Sequence, residues 1–175
     1  MTSIAINPTS TFVADVSNRN QLFQDLVSQF ADDIYRYAYW LSNDKQAAED
    51  VAQETLLRAW KSIDKLQDTK AAKGWLLTIA RRENARRFER KQLEIVDYPT
   101  EQVTENRPDY DTSTEAHILR NALKQLPDEY REPLLLQVEL GFTQKEVAVH
   151  LGISTAGAGT RLFRARQKLR ALLEQ

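Results

Sequence analysis

Between residues 143 and 170 the chain reads TQKEVAVHLGISTAGAGTRLFRARQKLR, and few folds accommodate that order of signals. Thr143 followed three residues later by Glu146 spells a capping box, which starts a helix there. Val147, Ala148 and Leu151 give that helix one apolar side. Gly152 follows directly, where a sharp stop needs a residue free to take a positive φ. Ile153 plugs the corner, and Ser154 is placed to cap a second helix. Small residues at 148 and 152 let two helices cross closely through a short turn. This is the pattern of a helix-turn-helix, whose second helix enters the major groove of DNA.

The charges on the second helix agree. Arg161, Arg164, Arg166, Lys168 and Arg170 follow one another with no acid between them. Leu162, Leu169, Leu172 and Leu173 interleave at helical spacing, so one face packs while another is cationic. Such cations neutralise phosphates and supply the sequence-independent part of DNA affinity. The plainer reading is a core hairpin of two helices with a solvated basic face.

The net charge of −1 argues, at face value, against a nucleic-acid binder. It averages unlike segments. Residues 81–91 (RRENARRFERK) carry six positive and two negative side chains, whereas residues 94–115 carry seven acids and one Arg. Salt confines these fields to about 10 Å, so local charge decides what a surface attracts. Two basic patches separated by an acidic connector are thus the informative pattern.

Long periodic stretches rich in Ala, Leu, Glu, Arg and Gln predict an all-α chain, with 175 residues giving room for two small domains. There is no Cys, so disulfides and thiolate chemistry are excluded. No apolar run approaches a membrane span, and the N-terminus lacks the pattern of a secretory signal; a cytoplasmic protein with no membrane insertion is expected.

Residues 1–18, rich in Ser, Thr and Asn, read as a flexible leader with a short turn of helix near Phe12. Residues 19–92 read as a first helical domain. Leu22, Leu26, Phe30, Ile34, Tyr37 and Leu41 form the core stripe of a helix over about 19–41. Asp44 lies in the break after it, and a second helix is expected over 45–63. On that helix Asp50, Gln53, Glu54 and Leu57 share one strip, at i, i+3, i+4 and i+7. The strip suits a basic partner helix, although a solvated carboxylate face is the commoner meaning.

A polar loop is expected over 65–74, then a third helix opening at Trp75, with Trp75, Leu76, Ile79, Ala80 and Phe88 available for burial. Arg82, Arg86 and Arg90 recur every four residues as a cationic stripe. Residues 93–112, with Pro99 and Pro108, read as an acidic flexible linker. The second domain spans 113–175. It begins with a helix over 113–125 that turns Ala116, Leu119, Ala122, Leu123 and Leu126 inward. Another helix runs to about residue 140 with Tyr130, Leu134, Leu135 and Val138 inward, and Pro133 kinks it or loosens its first turn. Gly141 ends it before the helix-turn-helix.

With these pieces in order, the chain resembles a bacterial RNA polymerase sigma factor of the extracytoplasmic-function (ECF) class. The resemblance rests on AAEDVAQETLLRAW (47–60), GWLLTIAR (74–81), LPDEYREPLLLQ (126–137) and the 143–170 module, and covers about residues 19–173. It implies two helical domains joined by a flexible linker. It implies that the first domain grips the coiled coil of the polymerase largest subunit and opens the promoter −10 element. It implies that the second reads the −35 element and touches the polymerase flap. By position, Asp50, Gln53, Glu54 and Leu57 fall on the polymerase-binding patch. Lys70, Lys73, Arg81, Arg82, Arg86 and Arg90 fall on the −10 surface. Thr143, Ser154, Thr155, Thr160, Arg161 and Arg164 fall on the −35 surface. The family also implies an anti-sigma factor as a partner, no cofactor and no metal.

Two departures stand out. The family usually has Thr-Val-Lys-Ser, or a similar run, where this chain has Gly157, Ala158, Gly159 and Thr160. Each Gly costs a helix about 1 kcal/mol relative to Ala. The recognition helix is therefore expected either to fray at its first turn or to let its backbone approach DNA closely. The family also often has Asn and Asp where Arg82 and Arg86 stand, which leaves an all-cationic stripe.

The rival reading is a helix-turn-helix regulator working without polymerase as a symmetric dimer, but the chain offers no heptad seam. An enzyme fits worst. His117 and His150 lie on different helices, no glycine-rich phosphate loop is present, and Glu49, Asp50 and Glu54 read as solvated acids rather than metal ligands.

Overall fold

The structure, a computed structural model, describes residues 8–95 and 114–174. Every regular element among them is helical, and they fall into two compact units, 1–97 and 98–175. The all-α, two-domain class expected from the sequence is the one observed.

The first unit is built on α1 (Pro8–Ser42), α2 (Lys45–Ser62) and α3 (Ala72–Ile95). The expected leader over 1–18 is corrected here, because residues 8–18 belong to α1; residues 1–7 lie outside the described part. Pro8 is an apt first helical residue, and extending a helix already fixed by its packed portion costs little per residue. At residue 19 the helix is pinned. The Arg19 guanidinium donates to the Trp60 carbonyl at 2.7 Å, lies 4.8 Å from that indole ring, and meets Asp64 at 3.3 Å.

Asn43 takes a positive φ of 54° between α1 and α2, and the Asp44 carboxylate accepts from the Ala47 amide at 2.6 Å, starting α2. Small residues on α2, Ala47, Ala48 and Ala59, are buried and bring the helices close around Ile34, Tyr37, Leu76 and Leu77. Leu26, Ile63 and Ala72 form a cluster against which Leu22, Phe23, Phe30, Leu66 and Trp75 pack, so Trp75 is half-buried at the edge of the core.

The expected loop over 65–74 is shorter than that. Short 3-10 turns cover Ile63–Lys65 and Thr69–Ala71, the second started by Asp68 accepting from the Lys70 amide at 2.9 Å. Buried Ala72 then seats the start of α3, which makes Lys73 and Gly74 helical. Phe88, counted among residues available for burial, is exposed. At its other end α3 takes in residues 93–95, since no helix breaker precedes Pro99; the rest of the expected linker lies outside the described residues.

The second unit comprises α4 (Thr114–Gln125), α5 (Asp128–Val138), α6 (Gln144–Leu151) and α7 (Thr155–Leu173). Its core holds Leu126, Leu134, Leu136, Leu140, Val147, Ala158, Leu162 and Ala165. Leu119 and Val138, expected inward, are exposed. Val138 is the last residue of α5, which ends two residues earlier than expected, before the positive-φ turn at Gly141. Pro133 is buried inside an uninterrupted α5. No helix among the described residues is long and apolar enough to cross a membrane.

Candidate nucleic-acid interface

The α6–α7 corner is set by local hydrogen bonds. The Thr143 hydroxyl accepts from the Glu146 amide at 3.3 Å and donates to the Glu146 carboxylate at 2.7 Å. That carboxylate also accepts from the Thr143 amide at 2.8 Å, completing the capping box. At the far end of α6, Gly152 sits at φ 67°. The Ile153 amide reaches back to the Ala148 carbonyl at 3.0 Å and the Gly152 amide to that of Val149 at 3.3 Å, a Schellman closure. The Ser154 hydroxyl accepts from the Gly157 amide at 3.0 Å and starts α7.

Two outcomes are expected from Gly157 and Gly159, a frayed first turn or a close approach of the backbone to DNA; α7 is a continuous helix from Thr155. A contact also crosses the corner here. Gln144, the first residue of α6, donates from Nε2 to the Thr155 carbonyl at 2.8 Å. A Cβ placed on Gly159 would stand 2.7 Å from that nitrogen. The glycine backbone is therefore covered by a glutamine from the other helix.

Buried Ala158, Leu162 and Ala165 turn α7's inner face to the core, leaving Thr160 and Arg164 exposed and Arg161 half-buried at the flank. The Thr160 hydroxyl donates to the Ala156 carbonyl at 3.1 Å. Lys168 lies 5.6 Å from the Tyr130 ring, and Arg166 donates to the Gln137 side-chain oxygen. Among the described residues no cation of α7 pairs with a carboxylate.

The first unit arranges charge differently. Arg87 of α3 meets Asp50 of α2 at 2.5 Å. Arg58 Nε lies 2.9 Å from Glu54 and 2.8 Å from Glu83, without the alignment of a hydrogen bond, so that contact is coulombic. Arg86 meets Glu83 at 2.7 Å, and Glu83 is only 7% exposed. Asp50, Gln53, Glu54 and Leu57 do share one strip, with Gln53 and Leu57 exposed and Asp50 and Glu54 half-buried, but its two carboxylates already meet arginines. Arg81, Arg82 and Arg90 are exposed on α3, and Lys70 is exposed in the preceding turn. Lys73 is drawn inward instead: its ammonium holds Asp33 at 2.7 Å, beside Arg36. Burial works against the charged Asp33, but the Lys73 and Arg36 hydrogen bonds overcome it and keep its carboxyl below the usual range.

The arginine network was not foreseen, because its partners, such as Asp50 and Arg87, lie far apart in sequence. Gln144 was overlooked beside Thr143; the missing side chain at 159 was the available signal. Among the described residues no three His, Cys, Asp or Glu side chains are grouped so as to hold a metal ion.

A helical unit carrying an acidic strip and a basic helix, followed by a helix-turn-helix unit, is the division of a sigma-70-type factor. The chain matches Sigma-70 region 2 over residues 26–94 and Sigma-70 region 4 over residues 116–169. It is 32% identical to the ECF RNA polymerase sigma factor SigE of Mycolicibacterium smegmatis, over 95% of this chain and 68% of that one. It is also 32% identical to the ECF factor SigM of Bacillus subtilis, over 85% of this chain and 93% of that one. In structure it is similar to the sigma factor RpoE of Bartonella quintana, solved with the anti-sigma factor NepR. The TM-score is 0.74 and the identity 28%, over 87% of this chain and 96% of that one. The chain belongs to the ECF class of sigma-70-family RNA polymerase sigma factors, and so directs promoter-specific initiation of transcription.

Proposed function

We propose that the first unit, residues 19–92, docks on core RNA polymerase through Asp50, Gln53, Glu54 and Leu57, and that the second, residues 113–175, reads the −35 element through α7. The single observation that carries the reading is the contrast in charge on α7: five cations beside a buried apolar face, with no carboxylate paired to them among the described residues. Thr155, Thr160, Arg161 and Arg164 meet the duplex, while Thr143 and Ser154 hold the two helix starts in register. Arg81, Arg82, Arg86 and Arg90, with Lys70, face the −10 element, where binding free energy offsets the few kcal/mol of each unstacked base. Lys73 serves as a brace on Asp33 rather than as a contact.

The coiled coil of the largest subunit is the partner of the acidic strip, and the flap is the partner of the second unit. The Bartonella relative is solved in complex with an anti-sigma factor, and a partner of that kind covers the polymerase-binding faces of this chain. The protein acts by binding in the cytoplasm, with no catalytic step, cofactor or metal of its own.

The test is pull-down of core polymerase with Asp50→Lys combined with Glu54→Lys. Capture should be abolished while the helical circular dichroism is kept. Unchanged capture would remove the strip from the interface. Transcription in vitro with added core polymerase, read at the 5′ ends, should show a start site that neither component selects alone. Duplex binding without any need for polymerase would favour the regulator reading.

A further inference from the structure

We propose that Gln144 stands in for the side chain that α7 lacks at position 159, and donates a hydrogen bond to one phosphate of the −35 duplex. The inference rests on the reading of α7 as the −35 helix. Its starting point is a vacancy and what covers it. A Cβ on Gly159 would lie 2.7 Å from Gln144 Nε2 and 3.2 Å from its Cδ, so the carboxamide occupies the space a side chain at 159 would enter. It is held there, since Nε2 donates to the Thr155 carbonyl at 2.8 Å in the first turn of α7.

An amide nitrogen carries two hydrogens, and this bond uses one. Gln144 is exposed, so the second remains available. In a helix-turn-helix the first helix crosses the DNA backbone while the start of the second enters the groove. Gln144 belongs to both places at once: its backbone opens α6 and its amide lies on α7. Glutamine is among the side chains that bind phosphate oxygens. The contact is neutral and releases no counterion, which separates it from the contacts of Arg161 and Arg164.

The experiment uses full-length protein assembled with core polymerase, on a promoter duplex obtained by selection with that holoenzyme. Gln144→Ala should weaken binding about tenfold, the lower end for a hydrogen bond to a charged group. Gly159→Ala should weaken it equally, because the new methyl group displaces the flexible end of Gln144 without disturbing the backbone. The double variant should be no weaker than either single one, and the salt dependence should be the same in all four proteins. Methylphosphonate placed at each −35 phosphate in turn should penalise the parent protein at one position and leave both variants indifferent there. Additive losses, or no such position, would overturn the inference. If Arg161→Ala with Arg164→Ala were also without effect, the −35 reading itself would fall. If that pair mattered while 144 and 159 behaved independently, only the role of Gln144 would be lost.

Discussion

The two basic helices, α3 and α7, carry similar numbers of arginines and hold them in opposite ways. On α3 two of the arginines are held by acids, Arg87 by Asp50 and Arg86 by the Glu83 it shares with Arg58, while Arg82 and Arg90 are exposed. On α7 no carboxylate meets a cation among the described residues. Pairing weakens the field of the two α3 arginines and fixes their geometry. An unneutralised helix presents a strong field, which suits attraction to duplex phosphates. Net charge near zero for the whole chain conceals this division entirely.

The largest expected effect lies on α7. Removing Arg161 and Arg164 together should lower the slope of log affinity against log salt by about 1.8, at about 0.9 per phosphate contact. Filter binding of the holoenzyme to −35 duplex across a salt series measures it. A salt series on duplex carrying the −10 element, with Arg86→Ala, should lower the slope by less than the roughly 0.9 of one free phosphate contact, because Arg86 is already partly neutralised. An equal change per arginine on the two helices would abolish the contrast.

A smaller effect tests the network on α3. Glu83 is almost fully buried between two arginines, so Glu83→Gln leaves Arg86 without its carboxylate and Arg58 with Glu54 alone. A loss of about 2 to 3 kcal/mol in the stability of the first unit is expected, below the range for a fully buried pair because Arg58 and Arg86 are partly exposed. Urea denaturation followed by the fluorescence of Trp40, Trp60 and Trp75 reports on that unit, since all three tryptophans lie in it. An unchanged midpoint would show the network to be ornamental.

Much of this architecture was legible in the sequence where its causes are local. Thr143 with Glu146, Gly152 and Ser154 specify the α6–α7 corner within a dozen residues, because caps act on amides two or three positions away. The stripe from Leu22 to Tyr37 reveals the buried side of α1 for the same reason. What escaped was non-local or lacked an amphipathic period. The bond from Gln144 to Thr155 crosses a turn, and the pair Asp50–Arg87 joins two helices through tertiary packing, so spacing along the chain could not show either. Residues 8–18 gave no apolar period, yet a helix already anchored at Arg19 continues through them. Gly159 illustrates the same limit. Propensity leaves two outcomes open there, fraying or a close backbone approach, and neither includes the glutamine of another helix that lies over that glycine.

Gly159 offers a prediction in which stability and binding part company. Gly159→Ala should stabilise the second unit by about 1 kcal/mol, the helix propensity difference, since the atoms it displaces are the end of a flexible side chain. The thermal midpoint should rise even as duplex affinity falls. A fall in both would mean that the seat of Gln144 is structural.

The smallest effect separates the two units by pH. Asp33 is held charged by Lys73 and Arg36, so its carboxyl titrates below its unfolded value. A lowered folded value means that the folded state keeps its charge where the unfolded state has begun to take up a proton. The resulting stability is therefore fully present above the unfolded value, near 4 for a free Asp, and fades as pH falls through the folded one. Asp33→Asn should cost the first unit about 1 kcal/mol at neutral pH, the size of a partly exposed charge-assisted contact. The difference should vanish in acid, and Lys73→Met should reproduce much of it. If the cost persisted unchanged below pH 3, packing rather than charge would hold α1 to α3. The brace assigned to Lys73 would then give way to the direct −10 contact that the family resemblance implies.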